Sequence, residues 1–314
     1  MGFVNTVNDV IKQLAGNERS MILNVIVCYR NGHLKAYIIP RWTRLPVNYV
    51  NYFNDPDKTI KPGNADMSGL LITVDKDIYE YSTKENVWEA LSYVASKKED
   101  LGFFYQFLDK GIKDSPENFV ARFPDLAAQV DGIWQRGIEN GFIKKACLDG
   151  IITKTHADGL IVVQLNESRK TVVSHKKVAQ RQKGEEACPY CIQEEGREDM
   201  PWNNYVISAN PYPYSDKHIV IVNGKHVFQY IDEESIQVMV DFVTSAPAYS
   251  VSYNGPPGTT ILGHMHFQAA VREMPAEKAA TRLLVSDGDL RVEEVVGFPS
   301  TIFVVDKKIE ITKQ

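Results

Sequence analysis

The residues with the richest chemistry lie between Tyr253 and Ala269, in the run Tyr-Asn-Gly-Pro-Pro-Gly-Thr-Thr-Ile-Leu-Gly-His-Met-His-Phe-Gln-Ala. The first half is a loop of glycine, proline and threonine, whose backbone N–H groups and hydroxyls suit an anion. The second half alternates polar and apolar residues, which is the period of a strand. That period places His264, His266 and Gln268 on one face and Met265 and Phe267 on the other, packing inward. An imidazole set between His264 and Gln268 is able to attack phosphorus and form a phosphoramidate. Backbone N–H groups of the Gly258–Thr260 loop and the Thr260 hydroxyl would meet the phosphoryl charge, and Asn254 would hold the loop or a ribose hydroxyl. Gln268 is able to hydrogen-bond a phosphoryl oxygen and unable to deprotonate water, which favours transfer to an added acceptor over hydrolysis. The competing reading is a half-buried strand with solvent-facing histidines.

A second constellation is Cys188-Pro189-Tyr190-Cys191. Two thiolates at this spacing chelate one ion from a turn and make half of a tetrahedral zinc site. His226 and His264 complete a closed Cys-Cys-His-His set, with His218 competing for the third place. Such a structural zinc would pin the loop after Lys177 to the motif strand. A redox pair is the rival, although the thioredoxin-like βαβ surroundings are missing. A metal-free packed pair of thiols stays open as well.

These groups need a scaffold, and the chain offers mixed elements. Val4 to Leu14 reads as an amphipathic helix, and 22–29 and 34–40 as strands joined by Asn31-Gly32, a tight-hairpin signal. Met67 to Val74 is a further strand. Ser82 and Glu85 have capping-box spacing at the start of a helix running past Trp88 and Leu91. Residues 101–150 are helical, with breaks at Pro124 and Gly132. Strands return at 159–166, 204–210 and 218–222, a helix at about 232–244, and short strands from Leu283 to Val305. The basic run Arg169-Lys170 to His175-Lys176-Lys177 is either a solvated loop or a phosphate-facing one. Hairpins and helices without regular βαβ alternation predict an α+β fold.

Length and composition narrow the class. The 314 residues carry a net charge of −5 and are 44% hydrophobic, enough for a substantial core. The balance offers no basic footprint for a nucleic-acid polymer. No apolar run reaches membrane-spanning length and the start lacks a signal-peptide h-region. Four cysteines make no disulfide scaffold, so a cytoplasmic location is expected.

His264-Met265-His266-Phe267-Gln268 resembles the H-x-H-x-Q motif of the histidine-triad-like nucleotidyltransferases, among them galactose-1-phosphate uridylyltransferase, dinucleoside tetraphosphate phosphorylases and GDP-hexose phosphorylases. Asn210-Pro211-Tyr212-Pro213, His218 to Ile221 and Lys225-His226-Val227 are similar to the strand–turn–strand before that motif. Gln164-Leu165-Asn166-Glu167-Ser168-Arg169 is similar to the Q-φ-N-x-x-R element that contacts nucleotide in the phosphorylases. The resemblance implies His266 as nucleophile, Cys188, Cys191, His226 and His264 as zinc ligands, and Gln164, Asn166 and Arg169 as substrate contacts. Arg41 and Arg44 become candidates for the sugar-phosphate side, since a guanidinium bonds two phosphate oxygens at once.

Two departures accompany it. Gly263 stands where Pro, Asn or Asp is usual. Residues 21–95, with Ile38 to Arg41 and Asp66 to Thr73, resemble the segment that usually follows the motif. The expectation is therefore a histidine-triad-like antiparallel sheet with flanking helices, its segments in permuted order. Residues 1–97 would be the strand-rich segment, 98–150 a helical connection and 151–314 the catalytic part. The implied substrate is a nucleotide sugar or a dinucleotide, the acceptor phosphate or a sugar phosphate, and the assembly implied by the resemblance a homodimer. The alternatives are a dinucleoside polyphosphate phosphorylase or hydrolase, and a zinc-stabilised nucleotide-binding protein without turnover.

Overall fold

A computed structural model describes residues 2–15, 22–41, 64–117, 119–170, 188–255, 259, 261 and 263–313. In chain order its strands are β1 (Ile22–Arg30), β2 (His33–Arg41), β3 (Leu70–Thr73), β4 (Phe119–Ala121), β5 (Ile152–His156), β6 (Ile161–Leu165), β7 (Asp199–Trp202) and β8 (Tyr205–Ala209). They continue with β9 (Ile219–Asn223), β10 (Ser250–Asn254), β11 (His266–Ala270), β12 (Thr281–Asp287), β13 (Leu290–Val295), β14 (Phe303–Lys308) and β15 (Ile311–Lys313). The longer helices are α1 (Phe3–Ala15), α2 (Lys76–Tyr81), α3 (Lys84–Val94), α4 (Gly102–Leu108), α5 (Leu126–Glu139) and α6 (Glu233–Ser245). The mixture is α+β, as the irregular order of strand and helix patterns requires.

One ten-stranded antiparallel sheet organises the molecule, in the order β12-β13-β14-β2-β1-β10-β11-β9-β8-β7. The N-terminal hairpin β1–β2 lies in its middle, between β14 from the end of the chain and β10 from the motif region. Asn31 and Gly32 both adopt positive φ, 53° and 81°, which a two-residue hairpin turn of the right twist demands. A separate three-stranded sheet, β3-β6-β5, stacks on part of one face.

Alternation along each strand decides what each face carries. Val25, Val27, Ile219, Ile221, Val251, Tyr253, Met265 and Phe267 join Phe3, Val7 and Val10 of α1 and Met239 and Phe242 of α6 in one apolar core. Burying side chains of this size contributes roughly 1.5–3 kcal/mol each, and this core fixes which way the motif strand faces. On the other face Ile26, Cys28, Tyr37 and Ile39 pack with Leu70, Val163, Val87 and Leu91 from the small sheet and α3. His266 and Gln268 belong to that second face.

Several local expectations are corrected. The strand expected from Met67 starts only at Leu70, because Asn64–Met67 is a single helical turn followed by Gly69. Gly69 has φ +96°, and a Cβ there would lie 2.4 Å from the Leu160 carbonyl oxygen. Ser82 does not cap α3. Its hydroxyl donates to the Ile78 carbonyl at 2.6 Å, closing α2, and Thr83 is the cap, its hydroxyl accepting from Asn86 N at 3.3 Å. Gly132 lies inside α5 rather than breaking it. The motif strand begins at His266, so His264 precedes the ladder and its ring turns to other partners. Among the described residues no helix is long and apolar enough to cross a membrane.

Candidate functional site

Cys188 and Cys191 sit on a tight turn in which the backbone N–H groups of Cys191 and Ile192 both donate to the Cys188 carbonyl, at 3.0 and 3.1 Å. His226 follows β9 and His264 precedes β11, neighbouring strands of the large sheet. The side-chain ligand atoms of Cys188, Cys191, His226 and His264 all lie within 4.8 Å of one another. Cys191 Sγ is 3.2 Å from His226 Nδ1 and 3.4 Å from His264 Nδ1, and Cys188 Sγ is 3.4 Å from the same His264 nitrogen. A tetrahedral zinc with bonds of about 2.3 Å to sulfur and 2.0–2.1 Å to nitrogen has S···N edges near these lengths. Two thiols and two imidazoles of this arrangement form a group that could hold a metal ion.

The protonation pattern suits the same task. His264 Nε2 is 2.7 Å from the Asn223 carbonyl, which only accepts, so Nε2 carries the proton and Nδ1 the lone pair. Burial pushes the Cys188 thiol up, but the contact with the His264 ring and hydrogen bonds with the Tyr190 and Cys191 backbone bring it below its usual value. Arg197 clamps the turn from outside. Its guanidinium donates to the carbonyls of Pro189 and Ile192 at 3.1 and 2.7 Å while pairing with Asp199 through two nitrogens, at 2.9 and 2.8 Å.

His266 stands next to this cluster with the opposite tautomer. Its Nδ1 lies 2.8 Å from the carbonyl of His264, again an acceptor only, so Nδ1 carries the proton and Nε2 the lone pair. Nε2 is 3.4 Å from the Thr259 hydroxyl. The ring packs against Tyr190, centroids 4.8 Å apart. Its backbone is fixed by Gln229, whose side chain accepts from His266 N at 2.9 Å and donates to the carbonyls of His266 and Asn254, at 3.0 and 3.1 Å. That amide replaces the ladder where β10 and β11 part, past the Ser252–Gln268 pair.

Gln268 is oriented by His218, which is not in the Cys-His cluster. His218 is fully buried, and its Nε2 lies 3.1 Å from Gln268 Oε1. Burial, then the nearby Arg169 charge, lowers its pKa to about 3, so the ring is neutral. Its Nδ1 has no hydrogen-bond partner, and an unmet lone pair costs less than an unmet N–H, so the proton sits on Nε2 and donates to Gln268. The Gln268 NH2 is thereby left for another acceptor.

The Q-φ-N-x-x-R residues lie close by. Gln164 is committed at both ends, donating to the Tyr214 carbonyl at 2.9 Å and accepting from Arg272 at 3.1 Å. Asn166 donates to the Cys147 carbonyl at 2.7 Å, while its Oδ1 is buried without a partner. Arg169 lies over the Tyr214 ring at 5.7 Å, and its Nε is buried without a partner. Asn254 ends β10 beside Gln229, and Arg41, almost fully buried, ends β2. Gly258, Thr260 and Arg44 lie outside the described residues.

A cavity of about 230 Å³ opens on the β8–β9 side, lined by Phe142, Tyr190, Val206, Val220, Val222 and His264 among others. The sequence offered Thr259 only as part of the Gly258–Thr260 anion-binding loop, and sequence reading missed Gln229, Arg197 and Tyr190. Only Tyr190 had a signal, its place between the two cysteines.

Residues 146–271 match a family model described as a domain of unknown function, DUF4922. The chain is 26% identical over 191 residues to a galactose-1-phosphate uridylyltransferase of Bifidobacterium longum, covering 54% of this chain and 37% of that protein. It is 25% identical over 194 residues to the Lactococcus lactis protein of the same name, with the same coverage of 54% and 37%. A shorter stretch, 85 residues at 31% identity, matches the Halalkalibacterium halodurans protein of that name over 26% of this chain and 17% of that one. No solved structure matches the chain. The chain thus spans a little over a third of the length of the first two relatives, 37%, and is their distant homologue over about half of its own, 54%.

Proposed function

We propose that the protein is a nucleotidyltransferase in which His266 Nε2 attacks the α-phosphorus of a nucleoside diphosphate sugar. The P–N bond forms as the bond to the bridging oxygen breaks, and the sugar phosphate leaves with that electron pair. An oxygen of phosphate or of a second sugar phosphate then attacks the same phosphorus and releases the imidazole. The observation that carries this reading is the tautomer of His266. Its Nδ1–H is held by the His264 carbonyl, so the lone pair is on the nitrogen beside Thr259. As the ring gains positive charge on attack, its Nδ1–H becomes a stronger donor to that carbonyl, and no proton has to move.

Gln268, anchored through its oxygen, would donate to a phosphoryl oxygen, and Thr259 would do the same from the loop. Asn166, Arg169 and Asn254 would hold phosphates and ribose. The cavity beside Tyr190 is below the roughly 300–1,000 Å³ of sites that enclose whole drug-sized ligands, and would take the base. The four Cys and His ligands would hold a structural zinc that locks the turn carrying Tyr190 to the strand carrying His266. The distant uridylyltransferase homologues support transfer over binding alone.

The permuted histidine-triad-like arrangement belongs to the same proposal. Residues 1–97 would supply the strands that follow the motif in relatives, 98–150 the connection and 151–314 the catalytic part. The test is intact-mass measurement after incubation with a panel of nucleoside diphosphate sugars and dinucleoside polyphosphates, without phosphate. A gain of one nucleoside monophosphate, absent in His266→Ala, is expected, and the donor that gives it names the base. A nucleotide that binds with no adduct from any donor would make the protein a binding module instead.

A further inference from the structure

We propose that Asn24 belongs to the substrate site and takes hydroxyl groups of the leaving sugar phosphate, a role that rests on the nucleotidyl-transfer reading. Asn24 is on β1, two strands from the motif strand. Leu23, Val25 and Val27 face the core that contains α1 and Phe267, so Asn24 faces the side that carries His266 and Gln268. It pairs with Asn254 on β10, and β10 pairs in turn with β11. At about 4.8 Å per strand, Asn24 stands roughly 10 Å across the sheet from His266.

Asn24 has no exposed surface, and neither its amide oxygen nor its amide nitrogen has a hydrogen-bond partner. Buried amides are normally satisfied, and one left open on both ends works against folding. The fold does not require it. Its neighbours on this face include Ile26 on the same strand and Ile39, its register partner on β2, so an apolar side chain would pack there. A group retained against stability on the face of a proposed active site points to a ligand that completes it.

The chemistry selects that ligand. A carboxamide presents one acceptor and two donors. A phosphate oxygen only accepts and would leave the Asn24 carbonyl unmet, whereas a hydroxyl both donates and accepts. A polyol is the match, and Asn24 lies on the opposite side of His266 from the cavity of Val206, Val220 and Val222. Base on the β9 side, α-phosphorus at His266 and glycosyl group on the β1 side make one continuous path.

The test is the pair Asn24→Leu and Asn24→Ala, compared with wild type in three measurements. By calorimetry, a hexose 1-phosphate is expected to bind at least ~10-fold more weakly to both variants, and orthophosphate within about threefold of wild type. Discharge of the His266 adduct by hexose 1-phosphate should fall in parallel, while discharge by orthophosphate does not. The Tm of Asn24→Leu should equal or exceed that of wild type. Equal weakening toward both acceptors, or unchanged binding with a lowered Tm, would overturn the assignment and make Asn24 the partner of a structural water. If wild type forms no adduct yet the calorimetric difference appears, the transfer reading falls and the polyol site stands.

Discussion

The Nδ1–H of His266 donates to the backbone carbonyl of His264, 2.8 Å away, while His264 sends its own proton from Nε2 to the carbonyl of Asn223 at 2.7 Å. Two carbonyls thus impose opposite tautomers on imidazoles two residues apart. His264 turns its Nδ1 lone pair to the cysteines, and His266 presents Nε2 beside Thr259. The one setting suits a metal ligand and the other suits the nucleophile proposed above, and both come from main-chain acceptors that no side-chain substitution deletes.

The four-ligand cluster predicts one zinc per chain by elemental analysis of the purified protein. Cys191→Ser should lose the metal and lower the Tm by roughly 5 °C or more, as expected when a site worth several kcal/mol disappears. Arg197→Leu should keep the four ligands yet weaken metal binding roughly 10–100-fold in competition with a chromophoric chelator, because the turn loses its clamp. Unchanged affinity in Arg197→Leu would show that the turn holds its shape alone.

Gln229→Leu removes the side chain that stands in for the ladder between Asn254 and His266. Three buried backbone groups lose their partner, which costs about 1–3 kcal/mol for each that water cannot reach. The expected result is a Tm several degrees lower, with adduct formation slowed more than binding is weakened. A variant that unfolds earlier but labels His266 at the wild-type rate would leave Gln229 with a purely structural role.

His218 and Gln268 should act as one unit. Gln268→Ala and His218→Ala are each expected to slow adduct formation by about 10–100-fold, about 1.4–2.7 kcal/mol in the barrier. The double variant should be no slower than Gln268→Ala alone, since His218 acts through that amide. Losses that multiply would separate the two residues.

The neutral state of His218 gives a pH dependence with a definite sign. Its pKa falls from 6.5 to about 3 in the folded protein, by burial and then by Arg169. Between those values the unfolded chain binds the proton and the folded chain does not. The stability from this residue is therefore complete above pH 6.5 and is lost as pH falls toward 3, at up to about 1.4 kcal/mol per unit. Tm measured from pH 7 to pH 4.5 should drop less steeply in His218→Gln than in wild type. Equal slopes would mean that the ring is not held neutral.

Most of the secondary structure was legible in the sequence because period and turn chemistry are local. The hairpin at Asn31-Gly32, the helices at 3–15 and 233–245 and the strands on either side of Pro211 follow from neighbouring residues alone. The failures are local conflicts settled by packing. Ser82 serves the helix behind it, and Gly132 rides inside a helix whose other residues bury one face.

Of the candidate site, the sequence by itself determined the chemistry on offer: two thiols at chelating spacing, two imidazoles two apart, and Gln268 on the His266 face. Only the tertiary structure decided that His226 rather than His218 joins the cysteines and that His218 orients Gln268 instead. It alone brought Gln229, Arg197, Thr259 and Asn24 to the same face of the sheet or its edge. The physical reason is that strand order and register join residues more than 200 positions apart, as Asn24 and Asn254 are joined, and no local period encodes that pairing.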